Sequence, residues 1–175
     1  ERFTDFTGSE AVLDQFRQIW PDARVHAPIV DTSVLPPGFE VQATRLNSLY
    51  RGGSSYSYLL PLLPVAMRHM RIERVDAVLV SHHAFANQVV WATEAPVVSY
   101  VHTPARWMWQ SDMRLGEPGG ALGRYALTAF SSLERPRDRR AAQRVRLLLA
   151  NSSAVAERIR AWWGRESHVV HPPVD

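Results

Sequence analysis

Few residues in this chain have chemical potential, and they fall in short clusters. Ser81-His82-His83 follows one apolar run, His102-Thr103-Pro104 follows another, Asn151-Ser152 follows a third, and Gly8-Ser9 opens the first helical pattern. An imidazole can exchange a proton near neutral pH or hydrogen-bond a substrate hydroxyl. His102, set between an apolar run and a proline turn, is the leading candidate for chemistry, with a structural histidine as the competing reading. For His82 and His83 an ordinary loop role stands beside a functional one. No metal is expected, because His82, His83 and His102 lack helical i,i+4 spacing and have no carboxylate nearby in sequence. Gly8 would let a ligand approach the backbone, and a helix N-terminus there would attract phosphate. Asn151 and Ser152 read equally as helix caps.

Composition removes other chemistries. All 20 basic residues are arginine, and the chain has no lysine and no cysteine. Without lysine there is neither a P-loop nor a Schiff base. Without cysteine there is no disulfide, thiolate metal site, iron–sulfur cluster or thiol nucleophile. No G-x-S-x-G nucleophile elbow and no G-x-G-x-x-G dinucleotide fingerprint occurs. The net charge of +3 is too small to imply nucleic-acid binding by itself. Arg106-Trp107-Met108-Trp109-Gln110 could stack on a sugar or pack inward. The arginines between 135 and 146 read first as a solvated helix face, and second as a surface for anionic lipid or a pyrophosphate-linked substrate.

The elements that must hold these residues alternate in type. Residues 7–20, 56–71, 85–93, 122–146 (broken near Pro136) and 152–163 have helical patterns. Residues 25–30, 39–46, 75–80, 97–101, 145–150 and 169–170 read as strands. The glycines between 113 and 123 predict a loop. Strands apolar throughout and separated by helices predict an α/β domain, a Rossmann-like parallel sheet with helices on both faces. Each polar cluster would then lie beyond a strand's carboxyl end, where such sheets bind ligands. At 175 residues and 46% hydrophobic, the chain can build one core. Its opening Glu1-Arg2-Phe3-Thr4-Asp5-Phe6 reads as a chain already under way. No apolar leader is seen, and the longest apolar run, 58–67, holds two prolines and falls short of the roughly 20 residues that span a bilayer. A cytoplasmic location is expected, with residues 135–146 the candidate for peripheral contact at the inner face of the cell membrane.

Several strings together carry a resemblance. Ser81-His82-His83-Ala84-Phe85-Ala86, the run Tyr100-Val101-His102-Thr103-Pro104-Ala105-Arg106-Trp107, Ala150-Asn151-Ser152 with Val155-Ala156-Glu157-Arg158-Ile159, and the ending Val170-His171-Pro172-Pro173-Val174-Asp175 occur in the order found in family 4 glycosyltransferases. The chain resembles the N-terminal domain of their bacterial mannosyltransferase-like members. The resemblance implies the N-terminal half of a GT-B fold: residues 1–171 as the acceptor-side domain, and 172–175 as the start of a hinge to a C-terminal donor-binding domain absent from this chain. The family's first strand looks missing, and Thr7 stands where a second glycine is usual.

The resemblance implies roles residue by residue. His102 matches the active-site histidine that contacts the transferred sugar. Gly8 and Ser9 match the loop near the donor phosphate. Ser81, His82, Thr103 and Arg106 match substrate-side positions, and Asn151 and Ser152 match the rim of the cleft. It implies a retaining transfer of a sugar, mannose foremost, from GDP-mannose or a UDP-sugar to a glycan or lipid-linked acceptor. No cofactor, metal or nucleic-acid partner is implied. The isolated chain should be inactive without its C-terminal domain. The alternatives are a non-catalytic GT-B-like binding or assembly module, and an unrelated α/β sugar-phosphate or nucleotide-binding protein.

Overall fold

A computed structural model describes residues 2–3, 8–35, 38–52, 58–110 and 120–172. The central element is a four-stranded parallel sheet of β5 (Val78–Ala84), β6 (Val97–Pro104), β7 (Leu147–Ala150) and β8 (His168–Val169), hydrogen-bonded in that order. Two smaller parallel pairs precede it in sequence. β1 (Arg2–Phe3) pairs with β3 (Ile29–Val30), and β2 (Val25–Ala27) pairs with β4 (Val41–Ala43). Pro28, which has no N–H for a ladder, separates β2 from β3. The expectation of a missing first strand is thus corrected by β1.

Helices cover both faces of the large sheet. On one face lie the 3-10 turn Ala86–Trp91, α4 (Gly120–Arg144) and α5 (Ser153–Arg158), which continues into a π-helical turn at Ile159–Trp163. Val80, Val97, Val101, Ala141, Val145, Leu148, Val155, Ile159 and Trp163 form one buried cluster there. Each large aliphatic side chain buried this way contributes about 1.5–3 kcal/mol relative to exposure. On the opposite face lies α1 (Gly8–Ile19), whose Phe16 meets Tyr100 of β6 edge-on at 5.9 Å. A second cluster joins Ile29 of β3 to Leu63 of α2 (Leu63–Arg68), to Phe85, and to Met108 of α3 (Arg106–Trp109). The architecture is mixed α/β with parallel sheets, as expected of a Rossmann-like domain.

Several expected boundaries move: the strand expected over 75–80 begins at Val78, the one over 39–46 shrinks to Val41–Ala43, and the helix expected over 85–93 is the 3-10 turn Ala86–Trp91. The strands do not stop before their polar clusters: Ser81, His82 and His83 lie inside β5, and His102 and Thr103 inside β6. A parallel neighbour continues the backbone ladder whatever the side chains, so polarity alone does not end a strand. α4 begins at Gly120, inside the stretch expected to be loop, of which 113–119 lie outside the described residues. It also runs through Pro136 without a break. Tertiary anchors on both sides hold it there: Arg135 Nε donates to the Met108 carbonyl, and Asp138 receives indole N–H groups from Trp109 and Trp163. The expected last helix ends as foreseen, with Gly164 in the left-handed region at φ 67°.

Candidate functional site

Pairing of β5 and β6 runs residue for residue from Val78 opposite Val97 to His82 opposite Val101, and then resumes with His83 opposite Thr103. The residue that this shift passes over is His102. An extra residue in one strand is a β-bulge, a device that re-aims a side chain and is frequent beside active sites. His102 projects to the α1 face and remains partly exposed. Its ring meets Tyr100 edge-on at 5.4 Å, and its Nε2 lies 2.8 Å from Ser81 Oγ. Strand register explains this bond, because Ser81 stands opposite Tyr100. Tyr100 is buried, which raises its pKa and keeps its phenol protonated, and its O–H donates to the Val170 carbonyl at 3.0 Å. One side chain therefore touches both His102 and the segment that leaves β8.

The other expected site residues are placed as follows. Thr103 donates from Oγ1 to the Pro104 carbonyl and lies 3.5 Å from Arg158 Nη1 of α5, so it faces the helix opposite α1. Asn151 follows β7; its N–H donates to the Val101 carbonyl, and its side-chain oxygen accepts from Ser152. Ser152 is the N-cap of α5 and accepts the Val155 N–H, so its hydroxyl is engaged locally. Arg106 begins α3 and is exposed. Gly8 and Ser9 open α1, on the His102 face of the sheet; the loop before them and the Ser9 side chain lie outside the described residues.

His82 requires a correction. The alternation of β5 turns its ring inward, where it is fully buried and meets Trp163 edge-on at 5.2 Å. Burial holds its pKa well below the ordinary 6.5, helped by the neighbouring His83. In this position it is a neutral core histidine and has no face for a substrate. Arg158 is the residue that inspection of the sequence did not single out. It reaches the rim because α5 starts at Ser153 and packs against β6, which brings position 158 towards Thr103. Among the described residues no group of three His, Asp or Glu side chains could hold a metal ion.

Two contacts are thus built near the carboxyl end of β6: Ser81 with His102 on the α1 face, and Arg158 with Thr103 on the opposite face, with Arg106 exposed at the start of α3. These groups can hydrogen-bond hydroxyls and attract an anion, and Ser81 Oγ lies within the reach of His102 Nε2 that a nucleophile–base pair would need. The family model described as Glycosyltransferase Family 4 matches residues 22–175. The chain belongs to Glycosyltransferase Family 4. No curated protein matches it. This family 4 glycosyltransferase domain carries Ser81, His102, Thr103, Arg106, Asn151 and Ser152 within the matched residues, whereas Gly8 and Ser9 lie before them. Among its described residues no helix is long and apolar enough to cross a membrane.

Proposed function

We propose that this family 4 domain is the acceptor-side half of a retaining glycosyltransferase, moving a sugar, mannose foremost, from a GDP- or UDP-sugar to a glycan or lipid-linked acceptor. The observation that carries the reading is His102: a partly exposed imidazole at a β-bulge near the carboxyl end of a central strand, with Ser81 fixing its ring. In this reading the histidine hydrogen-bonds the transferred sugar and orients it while positive charge develops at the anomeric carbon. Arg106 and Arg158 supply positive potential at the rim, and a partner domain closing over the cleft supplies the phosphate clamp. Without that domain the chain binds acceptor and does not transfer.

The contact between Tyr100 and the Val170 carbonyl favours this arrangement, because it ties the segment after β8 to the strand that carries His102. The test is a donor screen on the full-length protein. GDP- and UDP-sugars are supplied with candidate glycan and lipid-linked acceptors, and products are read by mass spectrometry. A glycosylated product is expected, with retained anomeric configuration when its anomeric proton is read by NMR. Absence of product with every nucleotide sugar would favour a non-catalytic binding module.

A further inference from the structure

The arginine-rich part of α4 does more than face solvent. Arg137, Arg140 and Arg144, spaced i, i+3 and i+7, lie along one side of the helix and line one wall of a groove of about 700 Å³. Arg68, at the end of α2, and Trp91, at the end of the turn after β5, line it as well. Trp91 precedes β6, Arg144 precedes β7 and Arg68 precedes β5. The groove therefore lies along the edge where the strands begin, away from His102.

Charge around this groove is unbalanced. Glu134 is buried and is shared by two of the arginines: Arg137 Nη1 is 2.8 Å from its Oε1, and Arg68 Nη1 is 3.8 Å from its Oε2. Gln88 fixes this arrangement, accepting from Arg68 at 3.0 Å and donating to Glu134 at 3.0 Å. Arg140 and Arg144 are exposed and have no carboxylate partner among the described residues, and the guanidinium of Arg144 lies 6.0 Å from the centre of the Trp91 ring. Four guanidinium groups thus converge with one carboxylate among them. An anion with several oxygens would relieve their repulsion, and planar guanidinium groups match phosphate oxygens in pairs. The groove is open and wider than one phosphate needs, with Trp91 available as an apolar wall.

We propose that this groove binds a phosphate- or diphosphate-bearing anion at a site separate from the His102 rim. The inference does not depend on the transferase reading. It is tested with the full-length protein by titrating inorganic pyrophosphate calorimetrically and by flotation with phosphatidylcholine vesicles containing phosphatidylglycerol. The pair Arg140→Gln/Arg144→Gln is compared with Arg45→Gln/Arg124→Gln, which removes the same charge from exposed arginines elsewhere. Binding to at least one probe is expected, weakened about tenfold or more by the groove pair and less than about twofold by the control pair. Groove-dependent pyrophosphate binding without flotation assigns a soluble anion, and groove-dependent flotation assigns a lipid headgroup. No binding to either probe, or equal weakening by the two pairs, overturns the proposal.

Discussion

Ser81 and His102 stand 21 positions apart in sequence, yet share one hydrogen bond because their strands are neighbours. In the proposed reaction Ser81 is a positioning residue. Ser81→Ala removes a contact worth about 1 kcal/mol, so kcat of the full-length protein should fall about fivefold. Ser81→Thr, which keeps the hydroxyl, should recover most of that loss. His82 behaves oppositely to its neighbour. The unfolded chain takes up a proton at His82 as pH falls below about 6.5, whereas the folded protein keeps the buried ring neutral. The unfolded state then binds more protons, so stability is lost as pH falls, at a slope approaching about 1.4 kcal/mol per pH unit. Urea unfolding at about pH 7.5 and about pH 5.5 should show a smaller pH-dependent loss in His82→Gln than in wild type. The types and order of these residues were legible in the sequence. Which of two adjacent histidines faces inward was not, because it depends on the phase of strand alternation and on the bulge at His102.

At the scale of elements, Asp138 is the latch of α4. Its Oδ2 accepts the indole N–H of Trp163 at 2.7 Å and of Trp109 at 3.0 Å, joining α4 to the π turn after α5 and to α3. Trp109 and Trp162 also stack, with ring centroids 6.0 Å apart and planes 5° from parallel. Trp163→Phe retains much of the buried volume and removes one donor from a buried carboxylate. It should cost about 1–3 kcal/mol in denaturant unfolding; no loss would show that the bond is dispensable. The same latch accounts for the helix continuing through Pro136. Proline is a helix breaker by local propensity, but α4 is held on both sides of Pro136 by contacts to residues 25 or more positions away. Propensity is a local quantity, and tertiary contacts outweigh it here. Likewise the apolar runs found the start of β6 and fell within a few residues of β5 and β7, while the extensions into Ser81–Ala84 and His102–Pro104 depended on the pairing partner.

For the whole molecule, the α/β class was readable because buried parallel strands are apolar throughout and alternate with helices. The route from Val170 through Tyr100 to His102 was not readable, since it joins residues about 70 apart through one phenol. It ties the segment after β8 to the strand that carries His102, the residue proposed to meet the transferred sugar. The most direct measurement is the transfer rate of His102→Ala in the full-length protein, with its thermal unfolding recorded alongside. We expect a folded variant whose kcat is lowered about 100-fold or more, as for loss of one donor to a transition state. A folded variant that transfers sugar at the wild-type rate would contradict that role.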